Sequence, residues 1–205
     1  MLNRVMHSYL RIRTIRVLIL FLTILGCAPS LVPTDYNIPS SSVRSEKIPL
    51  KAGLYLPGNF SKATFIGNKG GAEFPVLVGD SLVAGAKRTI ALAFEEMVLL
   101  ESMNTMNAHG VLVIVTPEIV NVDNMLGGFP PRGKWQTRLS CKWTIKNLNG
   151  DVIYLNTIVG EGRYETFTSG FSTRDDVAHS IIPALQDHYT KLLTDLMQRH
   201  WWENR

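Results

Sequence analysis

Apolar residues recur with two periods along the chain, and these periods predict alternating strands and helices. Leu50 to Leu56 predicts a first strand, and the stretch from Pro57 to Pro75, which contains Gly and Asn, predicts a loop or a ragged hairpin. Between about residue 80 and residue 103, apolar residues recur every three or four positions, which is the period of an amphipathic helix. The residues of this stripe are Leu82, Ala86, Ile90, Ala93, Phe94, Met97 and Val98.

The next part of the chain predicts three strands. Val111 to Val120 is almost entirely apolar and β-branched, which suits a strand covered on both faces. Arg138 to Lys146 alternates between polar and apolar residues, as a half-buried strand does. Asn149-Gly150 is a strong hairpin signal, predicts a two-residue primed turn, and leads into a third strand from Val152 to Val159. The inward side of the alternating strand comprises Leu139, Cys141, Trp143 and Ile145.

The closing segment predicts a second helix. Thr173 and Asp176 have the spacing of an N-terminal capping pattern. Pro183 predicts a bend or a break, because proline removes one backbone donor and clashes with the preceding turn. The apolar stripe of this helix comprises Val177, Ile181, Leu185, Tyr189, Leu192 and Leu196.

The resulting element order is strand, helix, strand, strand, strand, helix. A strand-helix-strand crossover joined to an antiparallel meander predicts a mixed four-stranded sheet with both helices on one face. We therefore expect an α+β fold that forms a single domain over residues 48–205.

The first 26 residues have the pattern of an export signal. Arg4, Arg11, Arg13 and Arg16 precede an apolar run from Val17 to Leu25, which is too short to span a bilayer as a helix. The run ends in Ile24-Leu25-Gly26-Cys27, which resembles the lipobox of bacterial lipoproteins. A plain secretory leader with an incidental cysteine is the alternative interpretation.

The lipobox resemblance implies that residues 1–26 are removed and that Cys27 becomes an acylated N-terminus. The membrane is then a partner through the acyl chains on Cys27, and Ala28 in place of Asp favours the outer membrane. Residues 27–47 contain three prolines and a serine cluster, so they predict a flexible tether between lipid and domain. The element order, taken with the lipobox, is similar to that of small envelope-assembly lipoproteins.

Charge and cysteine content exclude some classes of function. The chain has 21 Lys and Arg against 17 Asp and Glu, and the four leader arginines account for the excess, so no basic surface indicates nucleic acid binding. Acylation of Cys27 would leave Cys141 without a disulfide partner. Because Cys141 lies on the apolar side of its strand, we expect a buried thiol.

One short stretch, Gly79-Asp80-Ser81-Leu82, resembles the nucleophile block of the GDSL esterases and lipases. The later Asp176-Val177-Ala178-His179 has the form of that family's Asp-x-x-His block, so the resemblance implies a catalytic set of Ser81, Asp176 and His179. The family's separate oxyanion-donor blocks have no convincing match, and its parallel sheet needs helical crossovers where this chain predicts a hairpin. The alternative is that Asp80 caps a helix whose first turn contains Ser81.

Metal and cofactor sites are not predicted. His179, His188 and His200 are spaced by nine and twelve residues, whereas two ligands on one helix face need a spacing of three or four. No phosphate-binding glycine loop follows a strand.

Two apolar segments are candidate surfaces for binding a partner. The stretch from Asn121 to Lys134 predicts a long loop, whose Met125, Leu126 and Phe129 could form a partner-binding lip or fold back over a sheet edge. Trp201 and Trp202 could pack under the sheet or lie at the bilayer interface.

These patterns together predict a lipoprotein on the periplasmic face of the outer membrane. We expect a non-catalytic binding or assembly component of an envelope complex, with an envelope protein as its partner. The alternatives are a lipid-anchored esterase that uses Ser81, Asp176 and His179, and a carrier of a hydrophobic ligand between sheet and helices.

Overall fold

The computed structural model describes residues 30–38, 46–69, 72–103, 110–127, 133–166, 174–198 and 201–202. Within these residues, eight strands form one mixed sheet, and three helices accompany it. The strands are β1 (Ser30–Leu31), β2 (Ile48–Tyr55), β3 (Thr64–Lys69), β4 (Ala72–Leu77), β5 (Phe94–Leu100), β6 (Val113–Gly127), β7 (Gly133–Asn147) and β8 (Val152–Thr166). The helices are α1 (Gly58–Ser61), α2 (Gly79–Ala93) and α3 (Arg174–Gln198).

The long strand β6 organises the sheet. One of its sides pairs with β7 in antiparallel fashion along nearly its full length, and β7 pairs in turn with β8. Its other side pairs with β2 near its start and with β3 at Met125, so the sheet divides there into two arms. One arm continues from β2 to β5, and the other continues from β3 through β4 to β1.

Helices α2 and α3 pack against each other and against one face of this sheet. The core between them contains Trp135, Trp143 and Tyr189, which are fully buried. The α+β class is confirmed, but the sheet is larger than the predicted four-stranded sheet, and α1 adds a third helix. Strands β1, β3 and β4 were missed because they are short and lie in segments with loop-like composition, and β5 was missed because its residues were assigned to the predicted helix.

The alternating strand and its hairpin were predicted well. Leu139, Cys141, Trp143 and Ile145 are all fully buried. The predicted two-residue turn is wrong, because only Gly150 has a positive φ, of 89°. The Asn147 side chain accepts hydrogen bonds from the backbone N–H groups of Asn149 and Asp151, both at 2.9 Å, and so closes a longer turn.

The predicted helix over residues 80–103 is wrong in its second half. Helix α2 ends at Ala93, and Phe94 begins β5 without an intervening loop. Strand β5 pairs in parallel with β2, which places Val98 beside Gly53 and Leu100 beside Tyr55. Phe94, Met97 and Val98 continue the helical spacing, but the pairing with β2 makes this segment a strand.

The predicted loop from Asn121 to Lys134 is also wrong for most of its length. Strand β6 continues to Gly127 and β7 begins at Gly133, so only residues 128–132 lie outside the described residues. A register shift between Ile119 and Asn121 marks a β-bulge. Beyond it, Asn121 and Asp123 are exposed, whereas Asn124 is buried and accepts a hydrogen bond from the Thr137 hydroxyl at 3.3 Å.

The tether predicted for residues 27–47 is wrong for residues 30–38. Ser30 and Leu31 pair with Val76 and Leu77 as the edge strand β1. The following residues Val32, Tyr36 and Ile38 are buried in the main core. The folded unit therefore begins at or before Ser30, not near residue 48, and residues 39–45 lie outside the described residues.

Candidate functional site

Hydrogen bonds join the N-terminal segment to α2 and join α2 to α3. We call the residues that make these bonds the N-terminal clasp: Val32, Tyr36, Ser81, Leu82, Arg88 and Tyr189. The Ser81 hydroxyl donates to the Val32 carbonyl at 2.7 Å, and the Tyr36 hydroxyl donates to the Ser81 carbonyl at 2.7 Å. The Arg88 guanidinium donates to the Tyr36 carbonyl. From α3, the Tyr189 hydroxyl donates to the Leu82 carbonyl at 2.6 Å.

Both tyrosines of the clasp are kept as neutral donors. Burial raises the pKa of Tyr36, an effect that the nearby Arg88 partly offsets. Burial likewise raises the pKa of Tyr189 well above its usual value. Their rings stack with centroids 6.3 Å apart, so the N-terminal segment and α3 form one packed unit around the start of α2.

The structure does not bring the esterase residues together. Ser81 is 1% exposed, and its single hydroxyl proton is directed to backbone carbonyls of the N-terminal segment. His179 is exposed and stacks on Tyr164 at 4.9 Å between ring centroids. Tyr189 lies beside the start of α2, where its hydroxyl contacts Leu82. His179 precedes Tyr189 by ten residues on α3, so it lies about 15 Å from Tyr189 along the helix axis.

Asp176 lies in the first turn of α3 and is 7% exposed. The position suits a carboxylate near a helix N-terminus, where the helix dipole favours negative charge. A structural role therefore accounts for this residue.

His188 is the buried histidine of the fold and was not singled out as such by the sequence. Its Nε2 accepts a hydrogen bond from the Trp143 indole at 3.1 Å, and its Nδ1 has no partner in hydrogen-bonding geometry. Burial lowers the pKa of His188 to about 3, an effect that Asp187 partly offsets. The ring is thus a neutral packing group at neutral pH, held between Trp143 and Tyr189.

The described part of the chain contains no cluster of three or more metal-ligating side chains. Its helices also include none that is long and apolar enough to cross a bilayer. Cys141 is buried, and burial raises the pKa of its thiol to about 12, so the thiol stays protonated and unreactive.

The structure describes only part of the predicted partner-binding lip. Met125 is 62% exposed on the outer face of β6, opposite Gln136. The backbone of Leu126 pairs opposite Trp135, and Phe129 lies outside the described residues. Met125 is therefore exposed, but it lies on strand β6, opposite Asn68 of β3, and not on a long loop.

Trp201 and Trp202 pack beneath the sheet, which was one of the two predicted options. The Trp201 ring lies 6.1 Å from Phe94 and 5.9 Å from Tyr154, measured between centroids. Trp202 stacks edge-on against Trp201 at 5.5 Å. Both rings are half-buried against the main core.

An exposed apolar surface lies on the outer face of β1, β4 and β3, opposite the helices. We call it the N-terminal patch, and it consists of Leu31, Ile66, Pro75 and Leu77. Leu31 is 69% exposed and pairs with Leu77, while Ile66 is 46% exposed and pairs with Pro75. A cleft of about 630 Å³, lined by Leu31, Leu77 and Lys62 among others, opens beside the patch. Sequence reasoning missed this surface because it assigned both contributing segments to loop or tether.

Two edges of the described sheet, at β8 and at β5, differ, and β1 forms a third edge at the end of the other arm. At β8, the Glu161 N–H donates to Asp187 at 2.8 Å, and Lys191 donates to the Val159 carbonyl at 3.0 Å. Side chains of α3 thus satisfy backbone groups that another strand could otherwise pair with. At the opposite edge, β5 pairs only with β2 among the described residues.

Comparisons with known proteins define the fold and not the activity. No protein-family model matches the sequence, and a comparison with curated proteins gives no match. A similar solved structure is that of protein XCC0632 from Xanthomonas campestris, of the DUF330 family, with a TM-score of 0.56 and 6% identity over 83% of this chain and 95% of that one. A minor lipoprotein from Acinetobacter baumannii matches over 74% and 93% of the two chains, with a TM-score of 0.46 and 10% identity.

Proposed function

We propose that the chain is a lipoprotein anchored through acylated Cys27 to the periplasmic face of the outer membrane, where it acts as a non-catalytic binding or assembly component. The observation that carries this proposal is the leader: a basic segment, a short apolar run and Ile24-Leu25-Gly26-Cys27 occur in sequence. Acyl chains bind membranes through buried CH₂ groups, each worth about 0.8 kcal/mol, and more than one chain gives stable anchoring.

The absence of catalysis in this proposal is supported by how Ser81 is used. A serine nucleophile needs a base within hydrogen-bonding reach that takes its proton. In this fold the Ser81 hydroxyl instead donates to the Val32 carbonyl. If this hydroxyl turned toward a substrate, the N-terminal segment would lose that hydrogen bond. A carrier of a hydrophobic ligand would need a cavity between the sheet and the helices. Large buried side chains occupy that space, so the structure does not favour the carrier alternative.

The proposal assigns binding to two separate places on the sheet, the β5 edge and Met125 at the far end of β6. Strand β5 ends its arm of the described sheet, and an extended segment of a partner can add to such an edge through main-chain hydrogen bonds. Leu99, near the end of β5, is 45% exposed and offers an apolar contact beside those backbone groups. The β8 edge is less suited, because Asp187 and Lys191 already occupy it.

Fractionation of cells that express the chain tests the anchor. The wild-type chain is expected in the outer-membrane fraction, and Cys27→Ser, which has no acylation site, in the soluble periplasmic fraction. Equal distribution of the two forms would contradict the proposal. In the same preparations, ester hydrolysis should be indistinguishable between wild type and Ser81→Ala, and turnover that depends on Ser81 would support the esterase instead.

Photo-crosslinking tests the binding role. A photoreactive residue at Leu99 or Met125 should give one discrete adduct in the wild-type membrane, and the same residue at Asp151, in the exposed hairpin turn, serves as the control. The adduct should be lost when Cys27→Ser releases the chain from the membrane. Identical adducts from all three positions, or none from Leu99 and Met125, would contradict the proposed surface.

A further inference from the structure

The proposed lipid anchor at Cys27 is close to the folded domain. Cys27 precedes Ser30 by three residues, and Ser30 is already paired in the sheet. A chain spans at most about 3.6 Å per residue, so the Cα atom of Cys27 lies within about 11 Å of that of Ser30. A flexible tether of about twenty residues would instead have a typical reach of about 25 Å. The short connection restricts which face of the fold can lie at the membrane.

The N-terminal patch lies within that reach. Neighbouring strands are about 4.8 Å apart and alternate residues along a strand about 7 Å apart, so Leu31, Leu77, Pro75 and Ile66 fit within about 12 Å of one another. All four point away from the helices, because their strand neighbours Phe65 and Val76 are buried on the helix side. The patch is therefore an apolar surface that adjoins the point where the acylated chain joins the sheet.

We infer that the N-terminal patch rests against the lipid bilayer and is the membrane-facing surface of the anchored protein. This inference rests on the proposed lipid anchor. Apolar side chains at this surface lose contact with water when they enter the headgroup region, and this burial is favourable. Lys62 is exposed and lines both clefts that adjoin the patch, so a cation stands beside the surface that we assign to the bilayer. The helices and the β5 edge are left accessible to the periplasm.

The test uses the acylated full-length chain in vesicles of phosphatidylethanolamine and phosphatidylglycerol that contain doxyl-labelled lipid as a quencher. An environment-sensitive fluorophore is attached through Leu77→Cys, Ile66→Cys or Leu155→Cys, one at a time. Leu155 is a matched control, because it is 57% exposed on the outer face of β8, in a different part of the sheet. Cys141 is buried and should remain unlabelled, which the chain without an added cysteine verifies.

The expected result is a blue-shifted emission and quenching by doxyl lipid at positions 77 and 66, with neither effect at position 155. A flexible Gly-Ser spacer inserted between Ala28 and Pro29 should weaken the quenching and leave vesicle flotation unchanged.

Three outcomes would overturn the inference. If the chain floats with the vesicles but positions 77 and 66 are quenched no more than position 155, the anchor stands and the patch does not face lipid. A blue shift without quenching would mean that protein, such as a second copy, covers the patch. A chain that is neither acylated nor vesicle-bound would refute the proposed function itself.

Discussion

At the scale of single residues, buried polar groups determine how the fold responds to pH and to substitution. His188 and Ser81 are both at most 1% exposed, and each is engaged by a hydrogen bond from or to a distant part of the chain. Such groups are costly to disturb, because a buried donor or acceptor without its partner keeps its full desolvation penalty.

Stability should decrease in mild acid because of His188. Burial lowers the pKa of His188 to about 3 in the folded chain, whereas an unfolded histidine has a pKa of about 6.5. Between these values the unfolded state binds more protons, so the contribution of His188 is complete above about pH 6.5 and is lost as the pH falls toward 3, by up to about 1.4 kcal/mol per unit. His188→Gln should flatten the dependence of the unfolding free energy on pH across this range.

Denaturant titrations at several pH values measure this slope. His179→Gln is the matched control, because His179 lies on the same helix but is exposed, and its slope should equal that of the wild type. A wild-type slope retained in His188→Gln would contradict the assignment.

Ser81→Ala should destabilise the fold by about 1–2 kcal/mol, because the buried carbonyl of Val32 loses its donor. The variant should also expose the N-terminal segment to proteolysis. Ser61→Ala is the control, since its hydroxyl makes an exposed contact of 3.3 Å to Gly58, and its effect should stay within about 0.5 kcal/mol. Urea denaturation and limited proteolysis give the two readouts, and equal effects of the two substitutions would speak against the clasp.

At the scale of elements, helix α3 lies directly on strand β8 because two glycines allow it. A Cβ atom on Gly160 would overlap the carbonyl oxygen of Ala184, and one on Gly162 would overlap that of Ser180. The close approach lets Asp187 and Lys191 reach the β8 backbone. Residues of both β8 and α3 are therefore needed to cover the β8 edge.

Gly162→Ala should force α3 away from β8 and destabilise the fold by about 1–3 kcal/mol, as overpacking in a core does. Gly58→Ala is the matched control, because a Cβ atom there meets nothing within 4 Å, and it should change stability by no more than about 0.5 kcal/mol. Thermal and urea unfolding of the two variants measure the difference. If Gly162→Ala is as stable as Gly58→Ala, then α3 does not pack as closely as described.

Local pattern was sufficient for elements that are half-buried and regular. The alternation from Arg138 to Lys146 identified both faces of β7, because its outer side is solvated and its inner side meets α3. The pattern failed at β5, where Phe94, Met97 and Val98 continue the helical spacing and only the distant pairing with β2 makes a strand. It failed again at residues 30–38, where prolines suggested a tether although Val32, Tyr36 and Ile38 are buried.

The candidate site was less predictable than the fold, because it depends on contacts between residues that are far apart in the chain. The esterase hypothesis rested on two short blocks, Gly79–Leu82 and Asp176–His179, whereas the role of Ser81 depends on Val32, which is 49 residues away in the chain. The N-terminal patch combines Leu31 with residues of β3 and β4, and no local pattern joins them. Long-range pairing, which sequence periodicity does not encode, creates both features.

At the scale of the whole molecule, the account describes a small domain held close to a membrane. The described sheet begins at Ser30, three residues after Cys27, so the proposed acyl chains on Cys27 would fix the position of the fold and restrict its orientation. The β5 edge lies on a different arm of the sheet from the N-terminal patch, whereas Met125 pairs with Asn68 of β3, next to the patch. In the proposed arrangement, the N-terminal patch faces lipid and the β5 edge remains for a protein partner.

The most direct measurement is the mass of the N-terminal peptide of the mature chain, isolated from the membrane fraction. The account predicts a chain that starts at Cys27 and carries acyl groups on it, with this species absent in Cys27→Ser. A mature chain that begins elsewhere, or an unmodified Cys27 on a chain that is released without detergent, would contradict the central claim.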